Sequence, residues 1–357
     1  MILQDQNILF FARTMKLGGT ENVILQLCEI FKPLVNKIIV CSCGGVNLEI
    51  LHSMNIKHYI IGDLEDKSPM KIIETCRKIK RIVADEHITI IHTHHRMAAF
   101  YVRLTGLYKY CKFINTSHNT FLNRRILTRF AYKKAALIAC GEMVKKNLTD
   151  VFGLTDVTVI HNAVRPFNGE VTTEKTFEDA KAEGKFLIGN VGRLSEQKGM
   201  EYFIRAIPSV LAMHPDTQFY IIGAGEDEDK LKEMGIGLPV TFMGYRNDIQ
   251  NLMSQLDLIV LSSLWEGFPL TPIEAFSVGK TIVATGVDGT LEIVKDKENG
   301  VLIEPKNSDA ISKKVNWLIE HPDELKRMEK RARESFENEF SFDILAQSYA
   351  DYYLRSL

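Results

Sequence analysis

Short apolar runs of three to six residues alternate with longer amphipathic stretches along the whole chain, and that alternation leaves few folds open. Runs at residues 7–11, 37–41, 58–61, 88–93, 112–116 and 136–140 read as strands buried on both faces, and stretches such as 68–84 between them carry a helical period. Strand and helix in strict alternation predict a parallel sheet with helices on both sides. The run VTVIHN at 157–162 closes this first series, and residues 163–184 then hold Pro166, Gly169 and Gly184 among many charges with little period, so a linker is predicted over 166–184. The pattern restarts at 186–191 and continues at 218–222, 240–243, 257–261, 281–284 and 301–303, which predicts a second doubly wound α/β domain over 185–341 after a first over 1–165. A length of 357 residues exceeds what one core usually fills and agrees with two domains.

Charge separates the two halves. The chain as a whole is at –1, but residues 1–165 hold 23 Lys and Arg against 13 Asp and Glu, a net of +10, which leaves –11 for the rest. A basic half points to an anionic partner, either a membrane surface or a nucleic acid. From 123 to 146 the cations Arg124, Arg125, Arg129, Lys133, Lys134, Lys145 and Lys146 are interleaved with Ile126, Leu127, Phe130 and Tyr132. This is the pattern of a basic amphipathic surface helix, and equally that of an ordinary solvated helix face. No apolar run reaches the ~18 residues of a membrane span, and residues 1–11 lack the charged start and cleavage site of a signal peptide, so a cytoplasmic protein is expected. Six cysteines at 28, 41, 43, 76, 111 and 140 form no CxxC pair, which predicts reduced thiols and neither a zinc site nor a disulfide framework.

The most informative loop is EGFPLTPIE, Glu266 to Glu274, directly after the apolar run 257–261. Thr271, Pro272 and Glu274 stand where an N-cap, an N1 proline and an N3 glutamate would sit, so a helix starting at Thr271 with a capping box is predicted. A helix start beyond the carboxyl end of a strand attracts anionic phosphate, and carboxylates beside it can accept from sugar hydroxyls. A nucleotide sugar would supply both. Glu274 is also explained as a mere capping residue, and Glu266 as a solvated loop carboxylate.

Other strand ends carry further candidates. Gly18-Gly19 opens a helical period after the first strand, where backbone can approach a ligand closely, although a plain turn reads the same way. Arg193 and Lys198 lie on the GRLSEQKG loop after the run 186–191, and both can reach a diphosphate. His92, His94 and His95 follow the fourth run, and His118 with Asn119 follows the fifth. No carboxylate or thiol accompanies His92-x-His94, so metal binding is not expected there. Gly223-Ala224-Gly225 lacks the third glycine of a dinucleotide turn, which argues against NAD. Asp227-Glu228-Asp229 is accounted for by a helix N-terminus.

Two glutamates separated by seven residues, with Gly267-Phe268-Pro269 after the first and Ala275 after the second, resemble the signature of family 4 retaining glycosyltransferases. Gly18-Gly19, His118 and the Arg193 and Lys198 loop occur in that family's order, so the resemblance covers nearly the whole chain. It implies the GT-B fold: two Rossmann-like doubly wound domains facing each other across a cleft, with residues 342–357 packing back on the first. It also implies transfer from a nucleotide sugar, expected to be a UDP-sugar, to a lipid-linked saccharide in exopolysaccharide, capsule or lipopolysaccharide synthesis, without metal or other cofactor. Residue by residue, the resemblance gives His118 and Glu266 to catalysis at the sugar. Gly18, Gly19, Arg193, Lys198, Arg246, Phe268, Pro269, Leu270, Thr271 and Glu274 go to the donor, with Arg246 near the base and Glu274 at the ribose. Arg96 and Asn119 line the acceptor side. The basic first domain is then matched to an anionic membrane surface, since a nucleic-acid partner would leave the second domain without a purpose. A GT-B nucleotide-sugar epimerase and a non-catalytic nucleotide-sugar-binding partner of another transferase are the competing readings.

Overall fold

A computed structural model describes residues 3–16, 18–66, 68–121 and 123–356. The chain divides into two compact units, Met1–Asn162 together with Leu345–Leu357, and Ala163–Ile344.

In the first unit, strands β1 (Asn7–Phe11), β2 (Lys37–Ser42), β3 (Lys57–Ile60), β4 (Ile90–Thr93), β5 (Lys112–Ser117), β6 (Ala136–Ala139) and β7 (Val157–Val159) form one sheet. The order is β3-β2-β1-β4-β5-β6-β7, and every neighbouring pair is parallel. All five residues of β1 are buried, as expected for a central strand covered on both faces. Its register sets Phe10 beside His92. The C-terminal helix Phe342–Ser356 is counted with this unit from Leu345 onward. It buries Tyr349 and Tyr353, the latter with its ring centroid 4.3 Å from that of Phe31 and tilted 34° to it, while Leu357 lies outside the described residues.

The second unit repeats the scheme with β8 (Phe186–Val191), β9 (Thr217–Ile222), β10 (Val240–Phe242), β11 (Leu258–Leu261), β12 (Ile282–Thr285) and β13 (Val301–Ile303). These are parallel in the order β10-β9-β8-β11-β12-β13. Its core joins Ile188, Ile221 and Val260 from the sheet to Phe203 and Ile207 of the helix Met200–Leu211 and to Val315 of Ser308–Glu320.

In both sheets the chain starts in the middle, builds outward one way, then crosses back and builds the other way. The reversals fall between β1 and β4 and between β8 and β11. Loops leaving the carboxyl ends of such strand pairs diverge, and the crevice they leave is where α/β sheets bind ligands. Gly18, Gly19, Arg193, Lys198 and Glu266 lie on these loops, whereas His118 and Asn119 follow β5 and Arg246 follows β10.

Two expectations need correction. Residues 166–184 are not all linker, because Lys175–Ala182 is a helix within the second unit. Only Phe177 and Ala180 of that helix are buried, too few to show a period, yet Phe177 sits edge-on 4.4 Å from Tyr220 and anchors it. The helix after Glu266 runs Leu270–Ser277, so it starts one residue before Thr271, and its N-cap is Pro269. No side-chain cap bond forms, and the expected Thr271 and Glu274 capping box is absent. Proline sets the entry with its extended backbone, and Thr271 is already inside the first turn. No helix among the described residues is long and apolar enough to cross a membrane.

Candidate active site

At the reversal of the second sheet, the loop after β8 and the loop after β11 meet. Lys198 Nζ stands 2.6 Å from Glu266 Oε1, with the lysine 16% and the glutamate 6% exposed. Several groups hold the carboxylate in place. Ser263 Oγ donates to Oε1 at 2.6 Å, Gln197 Nε2 approaches Oε2 at 3.5 Å, and the backbone N–H of Glu266 donates to Asp288 Oδ2 at 3.1 Å. Ser262 and Thr285 tie the loops below: Ser262 Oγ donates to the Lys198 carbonyl and Thr285 Oγ1 to that of Ser263. Lys198 is presented by Gly199 in the left-handed region at φ 56°, where an added Cβ would lie 2.4 Å from the Ser262 carbonyl oxygen. Only glycine lets the two loops approach so closely.

The helix Leu270–Ser277 begins just beyond this pair, and its first-turn N–H groups lack a side-chain cap. Phe268 and Pro269 are buried and fix the entry, and Leu270 and Thr271 form the first turn. Glu274 makes no side-chain hydrogen bond among the described residues. Burial pushes its carboxyl up to about 7, an effect that the Lys198 charge opposes. Part of the Glu274 side chain stays accessible. A half-buried carboxyl, an ammonium and helix-start N–H groups without a side-chain cap have the chemistry that suits a ligand with both anionic and hydroxyl groups.

The remaining second-unit candidates are placed differently. Arg193 pairs with Glu226 at 3.0 Å on the open surface, where such a contact is worth little and exchanges readily. Arg246 forks onto Asp248 at 2.9 and 2.8 Å and reaches Glu174 at 2.8 Å, which ties the segment before Lys175–Ala182 to the sheet edge. In the free protein this makes Arg246 a structural pin as well as the residue expected near a base. Gly223 and Gly225 serve packing, since a Cβ on either would strike the backbone of the Gly192 to Leu194 loop.

In the first unit, Gly18 is the N-cap of the helix Gly19–Phe31 and makes no side-chain cap bond, while Thr14 Oγ1 donates to Glu21 in its first turn. His94 and His118 are the first residues past β4 and β5, and His94 Nδ1 lies 3.0 Å from His118 Nε2. His92 is committed within the core, 2.7 Å from the Tyr353 hydroxyl and 2.8 Å from that of Thr116. Burial pushes all three rings down, His118 to about 4, so they are neutral at pH 7. Arg96 is half-buried over the Phe121 ring at 4.7 Å and donates to Thr128 Oγ1 at 3.3 Å; Asn119 is exposed in the loop after β5.

Sequence reasoning missed Ser263, Gln197 and Asp288. The signals were present: paired serines at the end of β11, and an Asp-Gly turn after β12, whose end adjoins that of β11. Only the strand order shows that Asp288 reaches Glu266.

Two Rossmann-like parallel sheets in one chain, of seven and six strands, are the architecture of the GT-B class. Comparison with known proteins agrees. Residues 17–166 match the family described as Glycosyltransferase Family 4 and residues 171–335 that described as Glycosyl transferases group 1. An uncharacterized glycosyltransferase of Methanocaldococcus jannaschii is 25% identical over 87% of this chain and 85% of its own. The Escherichia coli UDP-Gal:alpha-D-GlcNAc-diphosphoundecaprenol alpha-1,3-galactosyltransferase is 33% identical over 47% of this chain and 45% of its own. Among solved structures, Anabaena HepE in complex with UDP superposes with a TM-score of 0.84 at 20% identity, covering 99% of this chain and all of that one. The chain belongs to the group 1, family 4 type glycosyltransferases, and it is an enzyme of that class.

Proposed function

We propose that this enzyme transfers a sugar, with retention, from a UDP-sugar to a lipid-linked saccharide during cell-surface polysaccharide synthesis. The observation that carries the reading is the Lys198 and Glu266 pair beside the uncapped start of Leu270–Ser277. A diphosphate suits the ammonium and the first-turn N–H groups, and the sugar suits the carboxylate. UDP is favoured because HepE binds it on the same fold and the Escherichia coli relative takes UDP-Gal. The lipid-linked acceptor follows that relative's diphosphoundecaprenol substrate.

In this reading, departure of the diphosphate builds negative charge that Lys198, the helix start and a swung Arg193 stabilise, a kind of contribution worth ~3 kcal/mol per donor. Glu266 orients the sugar and Glu274 accepts from the ribose. Gly18-Gly19 brings backbone N–H toward the phosphates, His118 touches the sugar, and Arg96 and Asn119 receive the acceptor. No side chain is placed as a nucleophile, so the acceptor attacks on the face the diphosphate leaves, and a donor phosphate oxygen takes its proton.

The acceptor side is assigned to an anionic membrane surface. In the helix Arg125–Tyr132, Thr128, Ala131 and Tyr132 face inward, whereas Ile126 is 87% exposed beside Arg124, Arg125 and Arg129. An exposed isoleucine among arginines fits lipid headgroups better than water.

A thermal-shift panel of UDP-, GDP- and ADP-sugars followed by a transfer assay tests the reading. The preferred donor at 100 times its dissociation constant should stabilise by about 2.7 kcal/mol. No stabilisation by any nucleotide sugar, or interconversion of a UDP-sugar without acceptor, would overturn it.

A further inference from the structure

His94 and His118 lie side by side, with ring planes within 20° and centroids 5.3 Å apart, and their facing nitrogens are 3.0 Å apart. Both rings are neutral, so each carries a single N–H. A short contact between two neutral imidazole nitrogens therefore fixes both tautomers at once: one nitrogen donates and the other accepts.

The far side of His94 decides which. Its Nε2 is buried with no hydrogen-bond partner among the described residues. His92 packs against the ring at 4.2 Å, but both of its own nitrogens are engaged by Tyr353 and Thr116, so it offers nothing. If His118 Nε2 were the donor, His94 would have to carry its hydrogen on Nε2 and strand an N–H in the core. Stranded buried N–H groups are rarer than unfilled acceptor lone pairs. The hydrogen of His94 thus belongs on Nδ1, pointing at His118 Nε2. The polar atom then left to His118 is Nδ1, which must carry the hydrogen and has no partner among the described residues. His118 itself keeps part of its surface open.

We propose that His94 is a positioning residue that locks His118 as its Nδ1–H tautomer, so that His118 offers the bound sugar a hydrogen-bond donor and cannot act as a base. The inference rests on reading His118 as a contact to the donor sugar. It assigns a task to a core histidine that touches no substrate, and it restricts the sugar atom opposite His118 to an acceptor oxygen.

The direct test is long-range proton–nitrogen correlation NMR on the full chain labelled with 15N-histidine. The expected result is an unprotonated Nε2 and a protonated Nδ1 on His118, and a protonated Nε2 there would overturn the proposal. Two variants add a functional readout. His94→Phe removes the donor and should lower kcat roughly 5- to 10-fold, the loss of one neutral hydrogen bond, while the Kd for UDP stays unchanged. His94→Asn, whose amide N–H lies near the Nδ1 position, should restore most of that loss. Wild-type kcat in His94→Phe would sink the positioning role. Wild-type protein that transfers no sugar at all would instead refute the functional reading, and the NMR spectrum would still decide the tautomer.

Discussion

Lys198 and Glu266, 68 residues apart in sequence, form an ion pair of 2.6 Å at the reversal of the second sheet, and each is the other's nearest opposite charge in a largely dry setting. The pair solves a problem of the unliganded enzyme. A lone ammonium or carboxylate at this depth would be costly, whereas the pair with Ser263 satisfies both until a ligand separates them. On the proposed function, donor binding would exchange partners, phosphate taking the ammonium and sugar hydroxyls the carboxylate.

Exchange of partners predicts opposite effects of two conservative changes. Glu266→Gln should leave UDP affinity unchanged or higher, because Lys198 is released to the phosphates, while single-turnover transfer falls ~100-fold or more. Lys198→Met should weaken UDP and UDP-sugar together. It should also destabilise the free protein by about 1–3 kcal/mol by leaving Glu266 unpaired, and the double variant should recover most of that in a double-mutant cycle. Full transfer by Glu266→Gln would remove it from the reaction.

Glu274 gives the site a pH dependence with a defined sign. Its carboxyl is raised to about 7, so the fold disfavours ionisation: no penalty applies below the free value of roughly 4.3, and it grows as pH rises toward 7 and is constant above. Glu274→Gln should therefore stabilise the free protein at pH 8 by on the order of 1–3 kcal/mol and change little near pH 4. Binding should run the other way. If the carboxylate accepts from the ribose, UDP affinity rises through pH 7 in the wild type relative to Glu274→Gln, and identical pH profiles for the two in calorimetric titration would remove that contact.

Much of this arrangement was legible in the sequence because parallel strands buried on both faces are written as continuous apolar runs. FLIGNV and LIVL could be placed to within a residue, and with them the loops carrying Lys198 and Glu266. Partnerships set by strand order were not legible. Nothing local links Asp288 to the backbone of Glu266, or Arg246 to Glu174, since those contacts appear only when distant segments are packed side by side. The capping box at Thr271 failed for a local reason: its spacing fits, but Pro269 already fixes the helix entry and the helix starts before the threonine can cap it. The helix Lys175–Ala182 escaped notice because two buried side chains are too few to show a period.

The Gly199 backbone gives a stability prediction at a residue with no side chain to contribute. Gly199→Ala meets both an unfavourable φ of 56° and a Cβ 2.4 Å from the Ser262 carbonyl, which must retreat. The left-handed backbone alone costs ~1–2 kcal/mol. Moving Ser262 also disturbs its bond to the Lys198 carbonyl, so transfer should fall more than stability does. Denaturant melts alongside transfer rates would show it. A variant with wild-type rate and stability would mean that the two loops are not held by this approach.

Membrane attachment predicts a separation between binding lipid and binding donor, because the cations given to lipid are not among the residues given to the donor. Arg124, Arg125 and Arg129 surround the exposed Ile126 on the first unit, and Lys198, Glu266 and Glu274 all belong to the second. Each surface cation near an anionic bilayer contributes about 1 kcal/mol, so reversing three of them to glutamate should weaken binding to phosphatidylglycerol vesicles ~100-fold or more. The wild type should also lose vesicle binding as salt shortens the Debye length. Ile126→Ser should weaken binding at every salt concentration, since its share is apolar. Affinity for soluble UDP should be unchanged in all of these variants. Equal binding of the wild type to neutral and anionic vesicles would defeat the electrostatic account, and a loss of UDP affinity in the charge reversals would show that the arginines serve the donor site.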